Sequence, residues 1–293
     1  MTDAIQSLGF IGLGVMGEGM CGNVVRKASV PVHGTDINPA PLERLAKQGL
    51  IAQTSVGSVA AQAELLFLSL PGGPQVEAVC RQLLASPGRL RYVVDMSTAP
   101  ASLARSLAKE FAASGIHFID APVARLREAA WTGTLSIMVG ATPEVFGEIE
   151  PYLRYMGSDV TRCGDVGAGQ VVKILNNMVV FMNVQALAEA LAIGEASGVD
   201  GQRLFDVLSL GSADSFMLRN AGVKSLVPHD FPLATFPTDY AIKDIGYALD
   251  LAAEAGIEPT GARATHALLT ATRDAGYAKE YYPVFLKTIE GSK

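Results

Sequence analysis

The sequence predicts an α/β domain, then one long helix, then an all-α domain. Three observations carry this. Short apolar runs alternate with segments of helical spacing through the first half; a glycine-rich turn closes the first of those runs; and beyond Gly167 the pattern stays helical, with no strand-like run.

The runs SLGFIGLG, SVPVHGTD, AELLFLSLP, RYVVDMST and IHFIDAPV each end in glycine, proline or polar residues, and helical segments separate most of them. Strand-then-helix rhythm predicts a mainly parallel sheet covered by helices on both faces, because parallel strands need long crossovers. GTLSIMVG adds a strand and TPEVFGEIEPYLRYMG a capped helix. Near Gly164 the pattern changes. A proline-free helical segment runs from Gly167 to about Gly198, roughly 45 Å if unbroken at 1.5 Å per residue. Helices follow around 201–210, 238–255 and 259–275, with the loop VPHDFPLATFP between the first two. The expected domains are therefore 1–165 and 166–293, with the long helix joining them.

At 293 residues and 49% hydrophobic, the chain can bury one large core or two modest ones. A formal charge of −6, without clustered Lys and Arg, argues against nucleic acid or an anionic membrane surface as partner and points to a small molecule. Cys21, Cys80 and Cys163 are odd in number and lack metal-site or disulfide spacing, so no metal is expected and a reducing cytoplasm fits. The N-terminus shows no leader pattern. The greasiest stretch, Val171 to Gly194, carries Lys173, Asn176, Asn177, Asn183, Gln185 and Glu189, which reads as a buried helix of a soluble protein rather than a membrane span.

Directly after the first apolar run stands Gly12-Leu13-Gly14-Val15-Met16-Gly17. In a strand–turn–helix setting the first glycine permits the turn, the second lets a pyrophosphate reach the backbone, and the third lets helix and strand pack closely. Asp36 follows Gly17 by 19 residues at the end of the next run; a carboxylate there accepts from an adenosine ribose and repels a 2′-phosphate. Strand, spacing and acid together predict a Rossmann domain in which Gly12, Gly14, Val15, Met16, Gly17 and Asp36 bind NAD, with NADP less favoured. The competing reading is a plain glycine turn with Asp36 as a loop residue.

At the start of the long helix, GAGQVVKILNN places Lys173 and Asn177 one turn apart on a shared face, with Asn176 beside them. Apolar neighbours would keep that spot dry, and both desolvation and a cationic nicotinamide favour loss of the Lys173 proton. A lysine in an apolar helix can equally be a snorkelling surface residue. The histidines show no ligand spacing and receive no role.

Taken together, FIGLGVMGEGM, the DAPV…GTLSIMVG strands, GAGQVVKILNN and FPTDYAIKDIGYALDLA closely resemble the β-hydroxyacid dehydrogenase family, which includes 3-hydroxyisobutyrate dehydrogenase and tartronate semialdehyde reductase. The four motifs stand in family order across nearly the whole chain. The resemblance implies an N-terminal Rossmann domain, a long interdomain helix, a helical C-terminal domain, and hydride exchange between a nicotinamide and a short hydroxy acid. It implies Lys173 as the catalytic proton carrier and Asn177 as a substrate holder. It puts Lys243 near the cofactor, with Asp244 ordering the site, and Thr98 (after Ser97), Leu70 and Pro71 along the cofactor. A homodimer or homotetramer with the helical domains in contact is also implied.

One motif departs from the family. A serine and two glycines usually follow DAPV and cradle the substrate carboxylate; here stand Ala124, Arg125 and Leu126, then Arg127. A guanidinium offers a fixed fork of donors for an anion, so Arg125, beside Ala124, is expected to hold the acid end of a small anionic hydroxy acid or semialdehyde. Sulfolactaldehyde reductases, in the same family, resemble this chain in carrying arginine at that position, which keeps a sulfonated C3 substrate open. The plainer reading makes both arginines solvated charges paired with a nearby acid. A cofactor-binding module without catalysis is the alternative of another class.

Overall fold

The computed structural model describes residues 4–233 and 235–291. They form two compact units, Met1–Lys173 and Ile174–Lys293. The division falls inside the long helix, two turns beyond its start, because those turns are held by the first unit's own strand ends.

Among the described residues the first unit holds a nine-stranded sheet of β1 (Leu8–Ile11), β2 (Val32–Thr35), β3 (Ile51–Ala52), β4 (Leu65–Leu68), β5 (Tyr92–Asp95), β6 (His117–Asp120), β7 (Val123–Ala124), β8 (Leu135–Gly140) and β9 (Gly157–Gly164). The order is β3-β2-β1-β4-β5-β6-β8-β7, with β9 on β8. The first six are mutually parallel, β8 runs antiparallel to β6 and β7, and β9 parallel to β8. The stretch β3-β2-β1-β4-β5-β6 is the doubly wound order, in which the order of strand addition reverses between β1 and β4 and opens a crevice at the strands' carboxyl ends. Helices α1 (Gly17–Lys27), α2 (Pro39–Ala46), α3 (Val56–Ala60), α4 (Gly73–Ala85), α5 (Ala101–Ala112), α6 (Arg127–Thr132) and α7 (Pro143–Leu153) supply the connections.

Both faces of the central strands are buried, and alternation decides which core each residue enters. Leu8, Phe10, Leu65, Phe67, Tyr92 and Val94 join one cluster; Ile11, Leu66, Leu68, Val93 and Phe118 join the other. Such strands read as continuous apolar runs, which is why the sequence displays them. Removing one of these side chains, as in Phe67→Ala, costs about 3–5 kcal/mol by transfer and cavity terms.

In the second unit α8 (Ala168–Ala196, which begins in the first), α9 (Gly201–Leu208), a π-helical stretch (Leu218–Leu226), α10 (Thr238–Glu254), α11 (Thr260–Thr272) and α12 (Phe285–Glu290) surround a core of Phe181, Val184, Leu191, Phe205, Leu218, Ile245, Leu269 and Phe285. Tyr282 fills its middle, edge-on to Phe181 at 5.0 Å. By length and composition alone α8 could cross a bilayer; in this unit Phe181, Val184, Leu187 and Leu191 enter the core instead.

Candidate active site

At the carboxyl ends of β1 and β4, the glycine loop divides its tasks. A Cβ on Gly12, whose φ is +94°, would lie 2.2 Å from the Ser69 carbonyl oxygen, and one on Gly17 would lie 2.0 Å from the Gly12 oxygen. Packing within the protein therefore explains both. Around Gly14 the corresponding space is open, with no protein atom within 4 Å, and Gly14 and Val15 are exposed. That is the cradle a pyrophosphate needs: bare backbone at the N-terminus of α1, where N–H groups favour an anion.

Asp36 follows β2. Its carboxylate accepts from the Leu13 N–H of the glycine loop and from Asn38 N–H at 2.7 Å. A carboxylate has about four acceptor positions, so capacity remains for ribose hydroxyls. Arg44 on α2, a cation that a 2′-phosphate could recruit, is held by both oxygens of Glu18 at 2.6 and 2.9 Å.

The turns after β4 and β5 and the start of α8 form one hydrogen-bonded block. Ser97 Oγ accepts from Leu70 N–H at 2.9 Å, while Ser97 N–H donates to Asp95 Oδ1 at 3.0 Å. The Gln170 side chain accepts from Ala99 N–H at 3.1 Å and donates to the Ser97 oxygen at 2.8 Å. Asp120 closes β6 and accepts from the N–H groups of Gly167 and Gln170, both at 2.7 Å, so a carboxylate caps the helix. Asp95 and Asp120 are partners in register on β5 and β6. Burial pushes the Asp120 carboxyl up to about 6 against the pull of its two backbone donors. Burial pushes Asp95 up to about 7, with Ser97 opposing and the charge of Asp120 adding. Lys173, half-buried, stands one turn beyond Gln170 on α8.

In the second unit, Asn177 is buried on α8 and its amide donates to Asp244 Oδ2 at 2.7 Å, while Asn176 donates to Asn177 Oδ1 at 3.2 Å. The other oxygen of Asp244 lies 2.7 Å from Lys243 Nζ, which also stands over the Tyr240 and Tyr247 rings. Asp244 thus fixes which way Asn177 presents its amide.

Arg125 is paired with a nearby acid, as the plainer of the two expectations has it. Its fork donates to the Thr134 carbonyl, to Ser158 Oγ at 2.9 Å and to Asp159 Oδ2 at 2.6 Å. Asp159 is an acid on β9, and the pair is exposed on both sides. Arg125 also has φ +86°, the left-handed region that glycine occupies without strain. Ala124 of β7 pairs with Ser136 of β8, and Arg127 opens α6 exposed.

Residues 7–164 match the model of the NAD binding domain of 6-phosphogluconate dehydrogenase, and residues 167–283 match that described as NAD-binding of NADP-dependent 3-hydroxyisobutyrate dehydrogenase. The chain is 34% identical to 2-(hydroxymethyl)glutarate dehydrogenase of Eubacterium barkeri, over 97% of this chain and 94% of that one. The chain belongs to the β-hydroxyacid dehydrogenase family. It is 35% identical to 3-hydroxyisobutyrate dehydrogenase of Pseudomonas aeruginosa, over 85% of each chain. A solved 3-hydroxyisobutyrate dehydrogenase of Mycobacterium tuberculosis, with L-serine, superposes with TM-score 0.87 at 28% identity, covering 97% of this chain and 99% of that one. This dehydrogenase thus carries NAD(P)-binding regions and the fold that the motifs predict.

Two parts of the constellation, and one cluster outside it, are not announced by the sequence. Asp120 lies in the DAPV motif, but its role as helix cap depends on a segment 47 residues later. Gln170 sits among apolar residues, and only its burial marks it. On the second unit's surface, Glu195, His229 and Glu290 bring their side-chain ligand atoms within 4.8 Å of one another, with His229 Nε2 3.2 Å from Glu290; no spacing in the chain announces this.

Proposed function

We propose that this dehydrogenase uses NAD to oxidise a short anionic β-hydroxy acid of the 3-hydroxyisobutyrate or tartronate-semialdehyde type, and runs the reaction in reverse as a semialdehyde reductase. The observation that carries the reading is the open backbone at Gly14 together with the buried block that ties the turns after β4 and β5 to the helix bearing Lys173. When bound, the nicotinamide supplies the hydride acceptor. Gly12, Gly14, Val15, Met16 and Gly17 hold the pyrophosphate, and Leu70, Pro71, Thr98 and Lys243 line the rest of the cofactor.

Lys173 Nζ accepts the substrate hydroxyl proton during oxidation and returns it to the carbonyl oxygen during reduction. Asn177 holds that oxygen, oriented by Asp244. Arg125 binds the acid end by exchanging Asp159 for the substrate anion, with Ala124 beside it; the pair's exposure supports such an exchange, since surface ion pairs are weak. The preference for NAD over NADP rests on the Asp36 carboxylate and on the commitment of Arg44 to Glu18. Apolar side chains exposed on α8, Val179 and Ile193, support self-association as a homodimer or homotetramer.

The test is Lys173→Ala, assayed with NAD and a panel of short hydroxy acids. Turnover should collapse by about 10²–10⁴-fold, the usual worth of positioned proton transfer, with NADH binding, read by nicotinamide fluorescence, largely kept. Near-normal turnover would remove Lys173 from the mechanism, and NADH binding by wild type without turnover of any acid would leave only a cofactor-binding module.

A further inference from the structure

We infer that Gln170 is the positioning residue for Lys173: its side chain sets the height and rotation of α8 against the Ser97–Ala99 turn, and so places the lysine amine relative to the cofactor face. This rests on the reading of Lys173 as proton carrier and of Thr98 as cofactor-lining.

Gln170 is a completely buried polar side chain near the start of α8, followed by the apolar Val171 and Val172. Burying an amide costs free energy unless both of its ends are satisfied, and here they are. Its oxygen accepts from Ala99 N–H and its nitrogen donates to the Ser97 carbonyl, at 3.1 and 2.8 Å. The two bonds bracket Thr98, so the amide grips the backbone on either side of that residue as a neighbouring strand would. A shift of the helix by half a residue would break both.

The backbone of the same residue is held separately. Its N–H donates to Asp120 Oδ2, and Gly167 N–H to Oδ1, each at 2.7 Å. The helix can come that close only because residue 169 is glycine: a Cβ there would lie 2.3 Å from the Met138 carbonyl oxygen and 2.9 Å from Asp120 Oδ2. One residue is thus tied by its main chain to the end of β6 and by its side chain to the turn after β5.

Lys173 lies three residues on, about 4.5 Å further along the axis on the same face. Nothing flexible intervenes, because α8 is one continuous helix from Ala168. Proton transfer requires heavy atoms within hydrogen-bond reach, and a displacement of about 1 Å can cost 10²-fold in rate.

Gln170→Glu tests this with a change of one atom. The carboxylate keeps the bond from Ala99 N–H but turns an oxygen toward the Ser97 carbonyl, which can only accept. Asp95 and Asp120 lie close by and repel it, while Arg105, whose charge is felt at Asp120, and the Lys173 ammonium attract it. When protonated, the glutamic acid regains a donor for Ser97 and restores the pattern of glutamine. Gln170→Met, similar in volume and without titration, is the control. Turnover is measured in the reductive direction from pH 5.5 to 8.5 and counted per NADH-binding site, so that unfolded protein does not enter.

The expected result at pH 8 is a kcat for Gln170→Glu lower than wild type by about tenfold or more, with NADH affinity and substrate KM changed far less. The ratio of variant to wild type should climb as the pH falls, whereas Gln170→Met should be slow at every pH. A Gln170→Glu ratio that is flat with pH, or wild-type turnover per site in both variants, overturns the inference. Should Gln170→Glu not fold, Gln170→Met decides alone: wild-type turnover per site refutes, and slowed turnover with intact NADH binding supports. The underlying reading fails separately, through turnover in Lys173→Ala; an inactive Lys173→Ala beside unaffected Gln170 variants sinks only the positioning role.

Discussion

Replacing Asp95 by asparagine removes a carboxyl group that folding buries almost completely. Oδ1 accepts from Ser97 N–H at 3.0 Å, and Oδ2 has no hydrogen-bond partner among the described residues. Burial raises this acid from an ordinary 3.8 to about 7. A folded-state pKa above the unfolded one means that the folded protein holds the proton more tightly. The associated stability is fully present below the unfolded value and is lost as the pH rises through the folded one. Three pKa units correspond to about 4 kcal/mol, of which about 2.5 kcal/mol falls between pH 5 and 8. Asparagine keeps the acceptor for Ser97 N–H and does not titrate; its unpaired amide protons add a cost of about 1–3 kcal/mol that is the same at every pH. The prediction therefore concerns slope rather than offset. In melts of wild type and Asp95→Asn from pH 5 to 8, the variant's Tm should rise relative to wild type by about 5–10 °C. Asp120 titrates in both proteins, so its own contribution largely cancels. Parallel Tm curves across that range would refute the idea that a buried, poorly partnered carboxylate stands at this strand end.

Three further outcomes follow from the cofactor loop and the arginine. Asp36→Ala should lower the NAD/NADP ratio of kcat/KM by about tenfold to a hundredfold, the worth of one charge-assisted hydrogen bond; an unchanged ratio would clear Asp36 of the discrimination. Gly14→Ala should weaken NADH binding by fluorescence titration while leaving Tm unchanged, whereas Gly12→Ala should lower Tm, because its Cβ meets the Ser69 carbonyl oxygen at 2.2 Å. Equal effects of the two on Tm would contradict that division. Asp159→Asn releases the Arg125 fork and should lower KM for an anionic substrate several-fold, with kcat little altered, if substrate and Asp159 compete for the guanidinium.

The sequence makes some of this visible and hides the rest for physical reasons. The central strands are legible because both of their faces are buried, so no charged residue interrupts Leu65–Leu68 or the run Tyr92, Val93 and Val94 before Asp95. β9 escapes because SDVTRCG lies on the far side of β8 with its residues exposed or only partly buried, so an apolar run is not needed. β3 and β7 are only two residues long, below any periodicity. The π-helical stretch Leu218–Leu226 and the short α12 after Tyr282–Val284 hold Leu218, Leu226 and Phe285 in the core through irregular turns whose spacing fits no single helical template. At the site, the residues expected to meet a ligand stand in short motifs, so the sequence offers them as candidates. Residues that meet only other residues, such as Asp120, Gln170 and Asp95, depend on contacts up to 73 residues apart, which spacing does not carry.

Arg125→Gly separates what the backbone wants at this position from what the side chain does. Arg125 is one of two described non-glycine residues with positive φ, a conformation that costs an L-residue with a side chain roughly 1–2 kcal/mol. Glycine removes that cost but widens the unfolded ensemble, an opposing effect of about 0.5–1 kcal/mol; alanine keeps the strain. Both substitutions delete the same contacts with Thr134, Ser158 and Asp159. The difference between them therefore isolates the backbone, and Arg125→Gly should be the more stable by about 1 kcal/mol in urea unfolding. On activity the two should agree. If the guanidinium takes the substrate anion, each raises KM by a similar factor with smaller change in kcat, and removing Asp159 in either background brings no further gain. A glycine variant that keeps wild-type KM would show that the main chain holds the acid and that Arg125 serves only to fasten β7 to β9.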